Sequence, residues 1–170
     1  PSTAWIGEAR SVSNAVPPKL LAVLQEEIAR GGPESAIEVC KDKAPAMART
    51  ASEQTGWTVR RVSLRNRNPK AVPDAWERAA LEDFDRRAAA KEPAAKLERA
   101  EVVMENGKPV QRYMRALPTL ELCTQCHGAT DKLKPAVVAK LKALYPDDRG
   151  TGYAIGDIRG AMTLRRPAPM

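Results

Sequence analysis

One pentapeptide limits the fold of this chain more than any other feature. Cys123-Thr124-Gln125-Cys126-His127 contains two of the three cysteines and the only histidine of the sequence. Cys-x-x-Cys-His is the attachment sequence of a c-type haem, because the two thiols add across the vinyl groups of the porphyrin and the neighbouring imidazole reaches the iron from the same side. The pentapeptide therefore predicts one covalently bound haem c, with His127 as an iron ligand.

Three other interpretations of these residues remain open. A zinc site would use Cys40, Cys123, Cys126 and His127, although the immediate neighbours Cys126 and His127 would be awkward together on one tetrahedral ion. A redox-active dithiol of the thioredoxin type would need a strand–helix setting, and the pair of cysteines could also be buried by chance. The specificity of the motif favours haem over all three.

The second axial ligand of the iron is not fixed by the residues alone. Because His127 is the only histidine, two histidines of one chain cannot hold the iron. The candidates are Cys40, a lysine, an open position, or a methionine, which is the ordinary partner of histidine in a cytochrome c. The methionines are Met47, Met104, Met114, Met162 and Met170.

The composition favours a soluble protein with a basic surface. The chain has 28 Lys and Arg against 21 Asp and Glu, a net charge of +7, which suits an acidic redox or signalling protein as a partner. The basic residues are scattered and aromatic residues make up only 4% of the sequence, so nucleic-acid binding is disfavoured. No apolar run approaches the roughly 18 to 20 residues that span a membrane. The sequence begins without a basic or apolar leader, so we expect any export signal to be absent from this chain.

The first third of the chain predicts helices. Residues 1–16 have little periodicity and are predicted to form an N-terminal arm. A helix is predicted from Pro17-Pro18 to Gly31-Gly32, and its apolar part at 19–29 would either cover the sheet or pair with a second copy in a homodimer. A second helix from Pro33 would turn Cys40 inward and end at Gly56, and Pro45 is predicted to kink or break it one turn after Cys40.

The remainder predicts a small antiparallel sheet with further helices. Asn106-Gly107 between two β-rich runs, 98–104 and 108–116, favours a type I′ hairpin. Other strands are predicted at 57–64 and 157–164, and helices at 75–90, capped by Asp74, and at 135–144. We therefore predict an α+β fold, with a single domain at 17–166 and a C-terminal tail at 167–170.

Five segments occur in a fixed order over about residues 20–165. They are Ala36–Cys40 with Ala44-Pro45, Arg65–Pro69, Asn106-Gly107 with Tyr113, Leu122–Gly128, and Tyr153–Ala161. Together they resemble a family of PAS-like c-type haem domains of cyanobacterial type, with histidine and cysteine on the iron, formerly a domain of unknown function. The resemblance implies that Cys40 is the distal ligand and that the sheet is PAS-like. It also implies an extracytoplasmic sensory role, for which this chain would need a separate signalling partner.

Several side chains are candidates for contact with the porphyrin. Arg65, Arg67 and Arg159 occupy loop or strand-start positions from which a guanidinium could pair with a propionate, although each could equally be solvated. The aromatic candidates for packing on the haem are Trp57, Tyr113 and Tyr153, for which ordinary core packing is the alternative.

Three functions are compatible with these features. The first is a redox or small-gas sensor in the periplasm, where haem c is attached, with Cys40 leaving the iron on reduction or ligand binding. The second is an electron carrier. A thiolate-haem enzyme is the least favoured, because occupied axial positions exclude substrate and no second histidine remains for acid–base chemistry. A thiolate opposite His127 would also lower the potential relative to histidine/methionine ligation.

Overall fold

The first third of the chain is one long helix with a single break. In the computed structural model, which describes residues 3–169, helix α1 extends over Ala4–Thr55. Gly32, with φ 80° and ψ 171°, is the only residue of α1 with non-helical backbone angles. The helix ends at Gly56, as predicted, where the left-handed backbone lets the Gly56 N–H bond to the Ser52 carbonyl.

The predicted N-terminal arm is wrong for the residues described, because 4–16 form the first turns of α1. The helix buries a stripe spaced by three or four residues, in which two small residues, Ala9 and Ser13, hide the periodicity from an apolar count. Only residues 1 and 2 of the arm lie outside the described range. The stripe consists of Trp5, Ala9, Ser13, Val16 and Leu20.

The prediction that Pro45 breaks the helix is also wrong. Pro45, like Pro17 and Pro18, lies inside α1 with helical backbone angles. Proline removes one hydrogen bond, but its fixed φ is compatible with a helix, and packing on both sides of α1 holds the helix together here. A break at Pro45 therefore cannot set the position of Cys40.

The sheet has four strands in the order β1-β4-β3-β2, and all neighbours are antiparallel. The strands are β1 at Thr58–Val62, β2 at Glu98–Glu105, β3 at Lys108–Pro118 and β4 at Ile158–Pro167. Asn106 and Gly107 have positive φ angles of 52° and 77°, which is the type I′ turn expected between β2 and β3. The predicted α+β fold with a small antiparallel sheet is confirmed.

Residues 3–169 contain three further helices, of which α2 packs on the sheet and α4 packs on α1. Helix α2 covers Ala75–Ala89 and starts at the predicted cap, where Asp74 and Glu77 form a reciprocal capping box. The attachment motif forms α3, a single turn at Thr124–His127, and α4 covers Pro135–Leu144. Short 3₁₀ turns occur at Pro69–Ala71, Ala94–Lys96 and Thr130–Lys132.

The hydrophobic core lies on both faces of the sheet. On one face, Trp5 and Trp57 pack with Tyr113 between α1 and the strands. On the other, Leu81 and Phe84 of α2 pack against the sheet. A third cluster joins α1 to α4 through Ile37 and Val137, so α1 is held from two directions.

The described residues contain no helix long and apolar enough to cross a membrane. Strand β4 continues to Pro167, the first residue of the predicted tail, and Met170 lies outside the described range. The PAS-like character of the sheet and the division into a single domain at 17–166 stay predictions.

Candidate functional site

The four residues proposed as attachment points and iron ligands line one cavity. Cys40 comes from α1, and Cys123, Cys126 and His127 come from a turn about 80 positions later, yet all four border a cavity of about 400 Å³. This is within the range of about 300 to 1,000 Å³ typical of small-molecule sites. The cavity is bounded by α1, by the edge strand β1 and by the attachment turn.

The attachment turn is a short helical segment that brings its three functional side chains to the same cavity. The His127 N–H bonds to the Cys123 carbonyl at 2.9 Å, which closes the turn. Gly128 ends it, and a Cβ at this position would lie 2.5 Å from the Thr124 carbonyl oxygen, so a larger residue does not fit. All three cysteines of the chain are free thiols, and all three are partly buried.

His127 is fixed by a neighbouring loop, 150–153. Its Nδ1 lies 2.6 Å from the Gly150 carbonyl oxygen, and its own carbonyl accepts from the Tyr153 N–H at 2.8 Å. The Tyr153 ring meets the imidazole edge-on, with 6.4 Å between ring centroids. The ring of His127 is thus oriented from its backbone and from its Nδ1 side.

Two groups compete for Nδ1. The Arg159 Nε lies 3.1 Å from it, but Nδ1 cannot donate to Gly150 and accept from Arg159 at once. We assign the proton to Nδ1, because the contact with Gly150 is the shorter, and this leaves the lone pair on Nε2. Desolvation, followed by the positive charges of Arg159 and Arg67, holds the pKa of His127 well below its usual range, so the imidazole is neutral at neutral pH.

Arg67 connects the loop after β1 to the attachment turn. Its guanidinium donates to the Cys126 carbonyl at 2.5 Å, to the Gly150 carbonyl at 3.2 Å and to the Asp148 carboxylate at 3.0 Å. The side chains of Arg67 and Asp148 are only 9% and 10% exposed. This predicted propionate partner therefore already has a full set of partners within the protein.

Cys40 faces the attachment turn from α1. Burial, with a smaller contribution from nearby Cys126, raises the pKa of its thiol to about 11. Burial likewise raises the pKa of Cys126. Both thiols are therefore protonated at neutral pH in the absence of a bound cation, whereas reactive dithiols usually have lowered pKa values.

None of the methionines among the described residues lines the cavity. Met114 and Met162 are fully buried in the cores on opposite faces of the sheet, and Met47 packs beside the second of these cores. Met104 is 67% exposed near the hairpin turn. Met170 lies outside the described residues. Of the candidate ligands named from the sequence, Cys40 and two lysines, Lys41 and Lys70, line the cavity.

The remaining predicted haem contacts divide into two groups. Arg159 lines the cavity and is held by Ser63 Oγ at 3.0 Å, and burial lowers its pKa to about 10. Arg65 instead stacks on the Tyr153 ring, 3.9 Å from its centroid, outside the cavity wall. Trp57 and Tyr113 also lie elsewhere, in the core between α1 and the sheet, so ordinary core packing accounts for both.

Arg61, which lines the cavity from β1, was not predicted from the sequence. Its side chain is exposed to solvent. The surrounding protein nevertheless desolvates the guanidinium and lowers its pKa, against the attraction of Cys123 and Cys40. Strand β1 reads Val59-Arg60-Arg61-Val62, and no pattern in it distinguishes the arginine that enters a cavity from the one that does not.

The cavity is strongly basic. Seven of the residues that line it are Lys or Arg, and none of the described lining residues is Asp or Glu. A mostly apolar cavity with this charge suits an anionic ligand. The basic residues are Lys41, Arg49, Arg60, Arg61, Arg67, Lys70 and Arg159.

Known proteins share the fold of this chain, and a family model matches its sequence. The crystal structure of the cyanobacterial heme-protein Tll0287 superposes with a TM-score of 0.72 at 23% identity, covering 100% of this chain and 99% of that one. This likeness establishes a shared fold. No curated protein matches the sequence. The Tll0287-like family matches over residues 5–167. Since the match covers nearly the whole sequence, this chain belongs to the Tll0287-like family.

Proposed function

We propose that this protein binds one haem c covalently and acts as a periplasmic redox or small-gas sensor. The haem would be attached through Cys123 and Cys126, with His127 and Cys40 as axial ligands. The observation that carries the proposal is the convergence of Cys40 with the attachment turn on one cavity, although the two are distant in the chain. The description of Tll0287 as a heme-protein supports the same cofactor.

The residues present fit this group. Two thiols and a neutral imidazole on one turn are the donors that haem c requires. The apolar wall from α1 and the excess of basic residues suit a flat apolar ring with two carboxylates. The zinc alternative is less well supported, since among residues 3–169 no three His, Cys, Asp or Glu side chains are grouped closely enough to hold a metal ion.

The chain's own residues would divide the task of holding the haem. Gly150 accepts the Nδ1 proton of His127 and so keeps Nε2 available as a ligand atom, an arrangement common among metal-binding histidines. Arg67 and Asp148 fix the backbone of the attachment turn. Cys40 enters from α1, on a different element from the other donors.

The bound haem would supply one iron that exchanges a single electron and takes up a small gas where an axial position is free. A sensor needs a ligand that leaves and a structural element that responds. Cys40 satisfies both conditions, because it lies eight positions after Gly32, the one non-helical residue of α1. Release of Cys40 would remove one of the contacts that hold the segment 33–55, and a shift of this segment about Gly32 is the change that a separate signalling partner would detect. We do not propose an enzymatic role, because two protein ligands leave no free iron site for a substrate.

An electron carrier is the second candidate, and one observation favours it. Lys41, Arg49 and Lys70 are exposed around the cavity and would present positive charge to an acidic redox partner. A carrier would keep Cys40 on the iron in both oxidation states. A sensor would lose Cys40 from the iron in one of the two oxidation states.

Spectroscopy of ferric and ferrous protein, with and without carbon monoxide, tests the proposal. We expect covalent haem that survives denaturing electrophoresis and disappears in the Cys123→Ser/Cys126→Ser variant. We expect Cys40→Ala to abolish the thiolate signature in the ferric absorption and electron paramagnetic resonance spectra. Met47→Leu, on the same helix, is the control and should leave both spectra unchanged.

The outcomes separate the parts of the proposal. An unchanged ferric spectrum in Cys40→Ala would exclude thiolate ligation. If ferrous wild-type protein never binds carbon monoxide, gas sensing loses its basis and the carrier is favoured. We propose the periplasmic location because haem is joined to Cys-x-x-Cys-His outside the cytoplasmic membrane, and fractionation of cells that express the protein would test it.

A further inference from the structure

Arg61 is a charged residue in the cavity wall without a partner. It lies on β1, an edge strand of the sheet, where its backbone pairs with Met162 of β4. Its side chain makes no ion pair and no hydrogen bond with any residue in the described range 3–169, although it borders the cavity directly. The side chain is exposed to solvent, so its guanidinium is free to pair with an anion that enters the cavity.

Three other arginines of the wall already have partners within the protein. Arg67 is paired with Asp148, Arg60 with Glu77, and Arg159 donates to Ser63 and contacts His127. Because no described lining residue is acidic, the protein itself offers Arg61 no carboxylate in the cavity. A carboxylate that pairs with Arg61 inside the cavity would therefore belong to the group that the cavity holds.

Arg61 is also close to both sides of the site, which are α1 with Cys40 and the attachment turn with Cys123. Its guanidinium is close enough to both Cys123 and Cys40 to be attracted by either thiol in its ionised form. A carboxylate bound there would therefore belong to a molecule that lies between α1 and the attachment turn.

We propose that Arg61 binds a carboxylate of the ligand held in this cavity, which is a haem propionate if the proposed function is correct. A guanidinium presents two parallel N–H donors that match a carboxylate, and such charge-assisted pairs are among the stronger hydrogen bonds in proteins. Arg61 thereby takes the role that the sequence suggested for Arg65 and Arg67.

The test uses haemin and haemin dimethyl ester, which lacks ionised carboxylates, as probes. Both are titrated into the full chain carrying Cys123→Ser and Cys126→Ser, so that binding is reversible and His127 and Cys40 remain. We expect Arg61→Gln to weaken haemin binding by about ten- to hundredfold, the size of one charge-assisted hydrogen-bonded pair, and to leave ester binding nearly unchanged. Arg61→Lys should recover part of the loss.

Arg78→Gln is the matched control, because Arg78 is an exposed arginine of α2 that does not line the cavity. Circular dichroism and thermal melting show whether each variant is folded. The assignment would be overturned if Arg61→Gln causes no loss of haemin affinity, if the loss is equal for the ester, or if Arg78→Gln causes the same loss. If the starting protein binds neither probe and the wild type carries no covalent haem, the proposed function itself is wrong.

In the covalent protein a second readout is available. Removal of the positive charge of Arg61 should favour the ferric state and increase the ferric-to-ferrous ratio at fixed ambient potential by about tenfold, which is about 59 mV for a one-electron couple. An unchanged midpoint potential in Arg61→Gln, with covalent haem present, would contradict the proposal.

Discussion

At the scale of single residues, the buried ion pair of Arg67 and Asp148 holds several segments of the site together. The guanidinium reaches the Cys126 and Gly150 carbonyls, and the carboxylate also accepts from the Gly150 N–H at 2.8 Å. One pair of charges thus ties the loop after β1, the attachment turn and the loop that orients His127. Loss of either charge leaves the other buried without a partner.

We expect Arg67→Leu to lower the free energy of unfolding by about 3 to 5 kcal/mol, the usual cost of breaking a buried ion pair from one side. The double variant Arg67→Leu/Asp148→Leu should lose less, because no unpaired charge remains. Urea unfolding measures both. The exposed pair Arg30 and Glu26, with side chains 67% and 71% exposed, is the control, and its removal should cost less than about 1 kcal/mol. A similar small loss for both pairs would contradict the role of burial.

A second residue-scale prediction concerns Glu98 and acid. Glu98 accepts hydrogen bonds from Arg10 of α1 at 2.6 and 3.0 Å and from the Tyr113 hydroxyl at 2.5 Å. The bond from Arg10, followed by that from Tyr113, holds the pKa of the Glu98 carboxyl below its ordinary value of 4.5, against desolvation.

Because the folded pKa of Glu98 is lowered, its ionised form stabilises the protein at neutral pH. This stability is lost as the pH falls from the ordinary value through the lowered folded value. Glu98→Gln should therefore be less stable than wild type at pH 7, and the difference should shrink as the pH falls below about 4. Urea midpoints across pH 3 to 7 measure the effect. Glu53→Gln, at an exposed position of α1, should show no such trend.

At the scale of elements, helix α1 contains two glycines at which an added side chain should have opposite effects on stability. Gly7 is exposed within regular helix, and a Cβ there would have no atom within 4 Å. Gly32 has φ 80°, and a Cβ would lie 2.9 Å from the Glu34 carboxylate oxygens. At Gly7 the backbone freedom of glycine in the unfolded chain makes the helix less stable. At Gly32 the positive φ angle requires a residue without a side chain.

Gly7→Ala should raise the free energy of unfolding by about 0.5 to 1 kcal/mol, the difference in helix propensity. Gly32→Ala should lower it by about 1 to 3 kcal/mol, the cost of a left-handed angle in a residue with a side chain. Thermal melting of the two variants, made in the same helix, compares them directly. A gain of stability from Gly32→Ala would show that the break in α1 is not required by the fold.

The same elements show what sequence can and cannot predict. The hairpin at Asn106-Gly107, the Asp74 cap and the end of α1 at Gly56 depend on local backbone preferences, and each was predicted correctly. The first turns of α1 were missed because small residues such as Ala9 and Ser13 are buried by contact with the sheet. Pro45 was misjudged because tertiary packing tolerates one lost hydrogen bond.

At the scale of the whole molecule, the candidate site could be predicted only in part. The attachment residues are adjacent in sequence and carry their own chemical signature, and a resemblance supplied Cys40. Arg61 and the partners of Arg67 depend on how β1, α1 and the loop near 150 meet, which no local pattern encodes. Trp57 and Tyr113 were expected near the cofactor because large aromatic residues suit a porphyrin, but they suit a core equally well.

The place of β4 in the sheet has a consequence for the order in which the molecule assembles. Strand β1 pairs with β4 alone, through residues about a hundred positions apart, such as Thr58 and Arg165. Such distant pairings form late, since a long loop must close first. The attachment turn precedes β4 in the chain, so if the protein is exported as we propose, the turn would emerge while the wall carrying Arg61 is still unpaired. Under the proposed function, the thiols of Cys123 and Cys126 would then be accessible for the attachment of haem, and the pairing of β4 with β1 would complete the cavity wall afterwards.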